Sequence, residues 1–99
     1  MAEYKLNPVN GDQFIVSNQA GQLYHHIAIR VNGTNPSGTV TVEGRAAGSD
    51  VYESIPDAIF DLSALATVLF TGCVVEFKVT IQSISGVSSL ILTDTFKEA

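Results

Sequence analysis

Apolar and polar residues alternate along most of this chain, and the alternation is cleanest in three stretches. In Leu23 to Val31, Ile27, Ile29 and Val31 fall on one side, with Ala28 and Arg30 on the other. In Gly38 to Gly44, Val40 and Val42 oppose Thr39, Thr41 and Glu43. The longest run is Cys73 to Gln82, where Cys73, Val75, Phe77, Val79 and Ile81 share one face and Glu76, Lys78, Thr80 and Gln82 the other. Successive side chains of a strand point to opposite faces, so a period of two predicts half-buried β-strands, rich here in the β-branched and aromatic residues that suit a pleated surface.

Shorter strands are predicted at Gln13 to Val16, Val51 to Ile55 and Thr67 to Phe70, with another near Leu90 to Phe96 and a brief one at Ile59 to Leu62. Turn chemistry separates them: Asn10-Gly11-Asp12, Gln19-Ala20-Gly21, the run Asn32 to Gly38, Thr71-Gly72, and Ser83 to Ser89 around Gly86. The expected fold is all-β: one antiparallel β-sandwich over residues 1–99, immunoglobulin-like or jelly-roll-like, with about seven or eight short strands. Residues 1–10 are open to being an extended N-terminal arm. Asp57 to Phe70 fits two patterns. Ile59, Leu62, Ala66 and Leu69 make a helical stripe with Asp57 as its cap, whereas strand, turn at Ser63 to Ala66, then strand agrees with every neighbour. The second is preferred, and a short helical turn near Ser63 to Ala66 fits both.

Ninety-nine residues make one core and leave little room for a large internal cavity. Apolar residues form 45% of the chain and charged ones 15%, too apolar for disorder and lightly charged enough to predict a face that meets another protein. Ten acidic against five basic residues give a net charge of −5 with no basic run, which disfavours nucleic acid as a partner. No apolar stretch is long enough for a membrane helix, and MAEYKLNPVNG lacks the features of a signal peptide, so synthesis in a cytoplasm is expected. Cys73, the single cysteine, excludes an intrachain disulfide.

Catalytic chemistry finds little to stand on. His25 and His26 are adjacent in a strand, point to opposite faces, and cannot chelate one ion together. Cys73 falls on the apolar face of its strand, where a thiol acts as a small hydrophobe. Glu43, Asp50, Glu53, Asp57 and Asp61 are the densest acidic region, but their spacing matches no calcium loop, and a solvated acid-rimmed surface is the simpler reading. No cofactor or metal is expected. Between TVTVEG and DVYESI, the segment Arg45 to Ser49 is too long for a tight two-residue hairpin. An extended loop there makes Arg45 and Tyr52 the candidate partner-contact residues, since arginine and tyrosine are the common anchors of interfaces.

The run SGTVTVEGRAAGSDVYESIPDAIFDLS, followed by LFTGCVVEFKVTIQSISGVSSLILTDT, resembles small structural proteins of tailed-bacteriophage particles. The matching positions are Gly38 to Gly44, Ile55-Pro56, Asp61-Leu62-Ser63, Gly72 to Ile81 and Leu90 to Asp94, over the last two-thirds of the chain. The resemblance implies a non-enzymatic virion component on the capsid surface: a decoration or cement protein bound to the major capsid protein. A homo-oligomer is expected, with a trimer favoured by the threefold positions of capsids. The alternative is a receptor- or glycan-binding module of a tail or head fibre, for which Tyr52 or Tyr24 would serve as the aromatic platform.

Overall fold

The computed structural model describes residues 2–18, 21–22, 24–64 and 67–96. Every regular element among them is a strand: β1 (Ala2–Leu6), β2 (Gly11–Val16), β3 (Tyr24–Arg45), β4 (Glu53–Asp61), β5 (Thr67–Thr71) and β6 (Glu76–Phe96). The all-β antiparallel class is as expected, with six strands in place of seven or eight. Fewer strands arise because segments separated in the sequence by turn residues run together. Tyr24–Arg45 is one strand of 22 residues and Glu76–Phe96 one of 21, where the pattern suggests two strands each.

These two strands pair with each other from His25↔Phe96 at one end to Arg45↔Glu76 at the other. A second layer flanks each of them in two pieces. β1 pairs with the C-terminal half of β6 and β2 with its N-terminal half, while β5 pairs with the N-terminal half of β3 and β4 with its C-terminal half. The result is one sheet, four strands wide, whose outer strands are each broken once.

A straight strand of 22 residues would span about 70 Å at roughly 3.3 Å per residue, yet the longest dimension of the molecule is 38 Å. The ribbon therefore doubles back, and its inner face closes on itself as a sandwich. His25, from one end, stacks edge-on against Phe77 from the other, with ring centroids 6.5 Å apart. One core follows, in which Ile27, Leu90 and Leu92 of one half meet Val40, Val42, Phe77, Val79 and Ile81 of the other. Full burial of each such side chain favours folding by about 1.5–3 kcal/mol.

The fold-back lies at the two runs with turn signals, Asn32 to Gly38 and Ser83 to Ser89. Between the pairs Gly33↔Val87 and Ser37↔Ser85, Thr34, Asn35 and Pro36 oppose Gly86 alone, a bulge that bends the ribbon without ending it. Asn35, Gly38, Ser83 and Gly86 all take positive φ here. The bulge also changes which residues face inward. In β3 they are His25, Ile27 and Ile29 before the corner and Val40, Val42 and Gly44 after it. In β6 Phe77, Val79 and Ile81 give way to Leu90, Leu92 and Asp94. The alternation shifts by one residue at the corner, so each long strand reads as two.

Two further expectations change, and the preferred strand reading of Asp57 to Asp61 holds. Ala2–Leu6 is an ordered edge strand on β6 rather than an arm, with Ala2 and Leu6 buried. Asp57 to Asp61 belongs to β4, not to a helix, and the chain turns after it with Ala64 N–H donating to the Asp61 carbonyl at 3.1 Å. The proposed helical turn at Ser63 to Ala66 falls partly on residues 65 and 66, outside the described residues. Cys73 is exposed and Val74 buried, the reverse of the sequence reading. The alternation does not extend back to Cys73 because β6 starts at Glu76, and the link before it is held by Val75 N–H donating to the Arg45 carbonyl at 2.9 Å.

At the corner the two strands touch through glycine. A Cβ on Gly33 would lie 1.9 Å from the Gly86 carbonyl oxygen, and one on Gly86, at φ +71°, 2.3 Å from the Thr34 carbonyl oxygen. Gly48 has a similar φ of +78° but open space around it. Gly86→Ala is expected to cost roughly 2–4 kcal/mol, combining left-handed backbone strain with overpacking. Gly48→Ala should cost only the backbone component, about 1–2 kcal/mol. Chemical denaturation of the two variants measures the difference, and equal costs would mean that the corner is looser than drawn.

Candidate contact surface

The outer face of the β2, β6, β3 and β4 half carries the residues that sequence reasoning picked out. Arg45 ends β3 and Tyr52 closes the loop that follows it. Both reach one carboxylate: Glu76 Oε1 accepts from the Tyr52 hydroxyl and from Arg45 Nε at 3.3 Å. Arg45 Nη1 also donates to the Ser49 carbonyl at 2.9 Å, inside the loop. The loop is pinned further by Ser49 N–H to the Ala46 carbonyl at 3.1 Å and Val51 N–H to Ser49 Oγ at 3.1 Å.

The polar ends of Arg45 and Tyr52 are thus turned toward each other's loop and toward Glu76. The structure brings the two residues together, but as ties that shape the surface. Glu76 is the hub that sequence reasoning placed only as an outward strand position. The signal for it was available, since Arg45 and Glu76 become opposite neighbours once the two strands are paired.

The Tyr52 ring leans on Phe14 of β2, centroids 5.6 Å apart and planes at 56°. Phe14 is 57% exposed, its neighbour on the same face, Val16, 72%, and Val51 63%. On the opposite border of the face Ile59 stands 66% exposed. Between these apolar borders run paired charges: Lys78 Nζ lies 3.9 Å from Asp12 Oδ2 and 4.0 Å from Glu43 Oε1. Such exposed pairs contribute at most about 1 kcal/mol each to stability. Their main effect is to leave apolar side chains as the prominent features of the face.

Beside this face a cleft of about 290 Å³ is lined in part by Gly44, Glu53, Ile55, Cys73 and Val74. Glu53 and Cys73 are its titratable groups, and no histidine borders it among the described residues. Asp61, another of the acids, has its carboxyl lowered below the usual range by the Ser63 hydroxyl and backbone N–H, an ordinary turn contact. Among the described residues no three histidine, cysteine or acidic side chains converge as a metal site.

A separate polar pair sits wholly inside. His25 points into the core and His26 outward, and His25 Nδ1 lies 3.0 and 2.9 Å from the two carboxylate oxygens of Asp94, both residues fully buried. His25 Nε2 lies 3.1 Å from the Gln22 carbonyl oxygen, which can only accept, so Nε2 carries a hydrogen. Nδ1 and the carboxylate then hold one proton between them. Burial raises the Asp94 carboxyl above its usual range, opposed by the hydrogen bond from His25.

Two sets of measurements test this arrangement. Tyr52 is pushed above the usual tyrosine value of 10.0, first by its bond to Glu76 and then by desolvation. An absorbance titration should show a late tyrosinate component that Tyr52→Phe removes; an unchanged curve in the variant would break the assignment. For the buried pair, Asp94→Ala should cost about 3–5 kcal/mol by leaving a buried partner uncompensated. Asp94→Asn, which offers Nδ1 a donor, should cost far less. Because the folded-state value of Asp94 is raised, its contribution is fully present below the unfolded value and is lost as pH rises through the folded one. Asp94→Asn should flatten that part of the stability profile.

Compared with family models, with curated proteins and with solved structures, the chain matches none.

Proposed function

We propose that this chain is a non-enzymatic virion structural protein that binds and stabilises the assembled capsid of a tailed phage as a decoration protein, working as a homo-oligomer. The observation that supports a binding role best is its exposed apolar side chains. Val9, Phe14, Val16, Val51, Ile59 and Leu69 each leave more than half of their surface in water, 54% to 72%, on a chain of only 99 residues. Single exposed hydrophobics need no explanation, but Phe14 packs on the Tyr52 ring, Val16 follows it on the same face of β2 and Val51 precedes Tyr52 in the chain, and such groupings suit protein contacts. The capsid as partner comes from the resemblance of residues 37–63 and 69–95 to phage structural proteins.

The mechanism is mechanical. A decoration protein that contacts neighbouring capsid subunits at once adds bridging contacts, and subunits cannot part without breaking them. Binding only the assembled form stabilises it by mass action, about 2.7 kcal/mol per site at a hundredfold excess over the dissociation constant. The glycan-binding alternative asks for a flat aromatic platform. Phe14 and Tyr52 are tilted by 56°, which offers a sugar ring no common plane.

Purified protein is expected to co-sediment with expanded tailed-phage capsids stripped of their own decoration protein and to raise their thermal dissociation temperature. Protein that stays in the supernatant, with particles melting unchanged, would overturn the reading.

A further inference from the structure

Among the described residues the sheet has four edge strands, and three of them carry guards against pairing. β1 carries the outward charges Glu3 and Lys5, with Glu3 bridged to Arg30 at 2.9 Å. β4 is interrupted by Pro56 and by a bulge, residues 55 to 58 facing Val42, in which Asp57 takes φ +63°. β5 has only five residues. Charges, proline, bulges and shortness are the devices that keep an edge from pairing with another chain. β2, of six residues, is also short, but it has no proline or bulge and a single charge, Asp12, at its start, and its outward side chains after that are Phe14 and Val16.

The ladder shows which backbone groups β2 leaves open. Ser17 N–H donates to the Val75 carbonyl at 3.0 Å, continuing the register Val16↔Glu76. Residues of an antiparallel strand bond alternately to one side and the other, so Gln13 and Ile15 bond toward β6. Asp12, Phe14 and Val16 turn their N–H and C=O groups away, and among the described residues β2 pairs with β6 alone. Two of these three, Phe14 and Val16, also expose apolar side chains. A β-strand satisfies both demands together.

We infer that the occupant is the β2 strand of a second copy, paired antiparallel about a twofold axis near Ile15. Such a pair sets even-numbered residues opposite even-numbered ones, which the ladder phase requires. Phe14 of each copy then faces Val16 of the other, each exchanging its open N–H and C=O groups. Asp12 falls at the rim opposite Asn18, so no carboxylate meets its own image. Charge favours this face as the meeting place: Lys78 and Arg45 offset Asp12, Glu43 and Glu76, leaving most of the chain's net charge of −5 elsewhere. A twofold pair closes on itself, so it predicts a dimer and not the trimer that capsid threefold positions would favour. It stands independently of the capsid reading.

So short an edge falls among small interfaces, below roughly 1,200 Å², and the dimer should dissociate on dilution. Sedimentation equilibrium of the full chain over a concentration series is the test, with thermal melting of each variant to confirm folding. The wild type should fit a monomer–dimer equilibrium, and Val16→Lys should weaken it about tenfold or more. Ile59→Lys, at an exposed position on the guarded opposite border, should leave it unchanged. A monomer at all concentrations, a trimer, or loss of the dimer in Ile59→Lys with Val16→Lys unaffected would each overturn the inference. Capsid binding can fail or succeed without altering any of these outcomes.

Discussion

The close approach of Gly33 and Gly86 is the constraint on which the rest of this fold depends. Two strands of more than twenty residues cannot remain straight in a molecule 38 Å long, and a sheet that bends must do so where neighbouring backbones can come together. With no Cβ on either glycine, Gly33 meets the Gly86 carbonyl directly. Once the ribbon is bent there, one hydrophobic face becomes two facing layers, and the same stretch of chain supplies both. Phe77 then packs against His25, from the far end of the ribbon.

That geometry assigns the roles of the remaining strands. β3 and β6 take the centre along their whole length, so everything else is an edge. The bend also breaks each outer strand, since residues 7 to 10 of one and the segment that leaves β4 at Leu62 of the other fall at the corner. Asn10 Oδ1 accepts from Ile84 N–H at 3.0 Å, and Gln13 closes on the Asn7 backbone, which fixes the crossing between β1 and β2. An outer strand restarted by such a crossing has its own edge, and β2 reaches the surface with its phase set by Ser17 and with Phe14 and Val16 outward. The apolar surface of the protein is thus a consequence of how the core is closed.

The sequence made the fold class legible because period-two patterning survives in both halves of each long strand. Their continuity was hidden. Turn residues such as Asn32-Gly33 and Ser85-Gly86 carry the same signal whether a chain reverses or merely bends, and the shift from Ile29 to Val40 as inward positions looks like two separate strands. The contact surface was legible in part. Arg45 and Tyr52 stood out by residue type and loop position, but Glu76, which joins them, is 31 residues from Arg45 and becomes its neighbour only through pairing. Phe14 and Val16 read as ordinary members of an alternating strand. Their exposure depends on which side of β2 is covered, and local sequence does not encode that.

A related limit applies to Asp94, which alternation after Leu90 and Leu92 places inward but whose buried partner no local sequence names. His25 and Asp94 are 69 residues apart and meet because Ile27↔Asp94 is a register pair. They are a costly feature, since burying two ionisable groups gains little over apolar packing even when they are well paired. Yet any register slip by one residue would turn Asp94 outward and leave His25 facing an apolar core. The penalty for slipping is therefore larger than the gain from pairing. In a sheet whose central strands already change phase at the corner, an apolar pattern alone tolerates compensating errors, and a buried hydrogen-bonded pair near the open end removes that tolerance. The glycine corner sets where the ribbon bends, and the His25 to Asp94 contact sets how its two halves align.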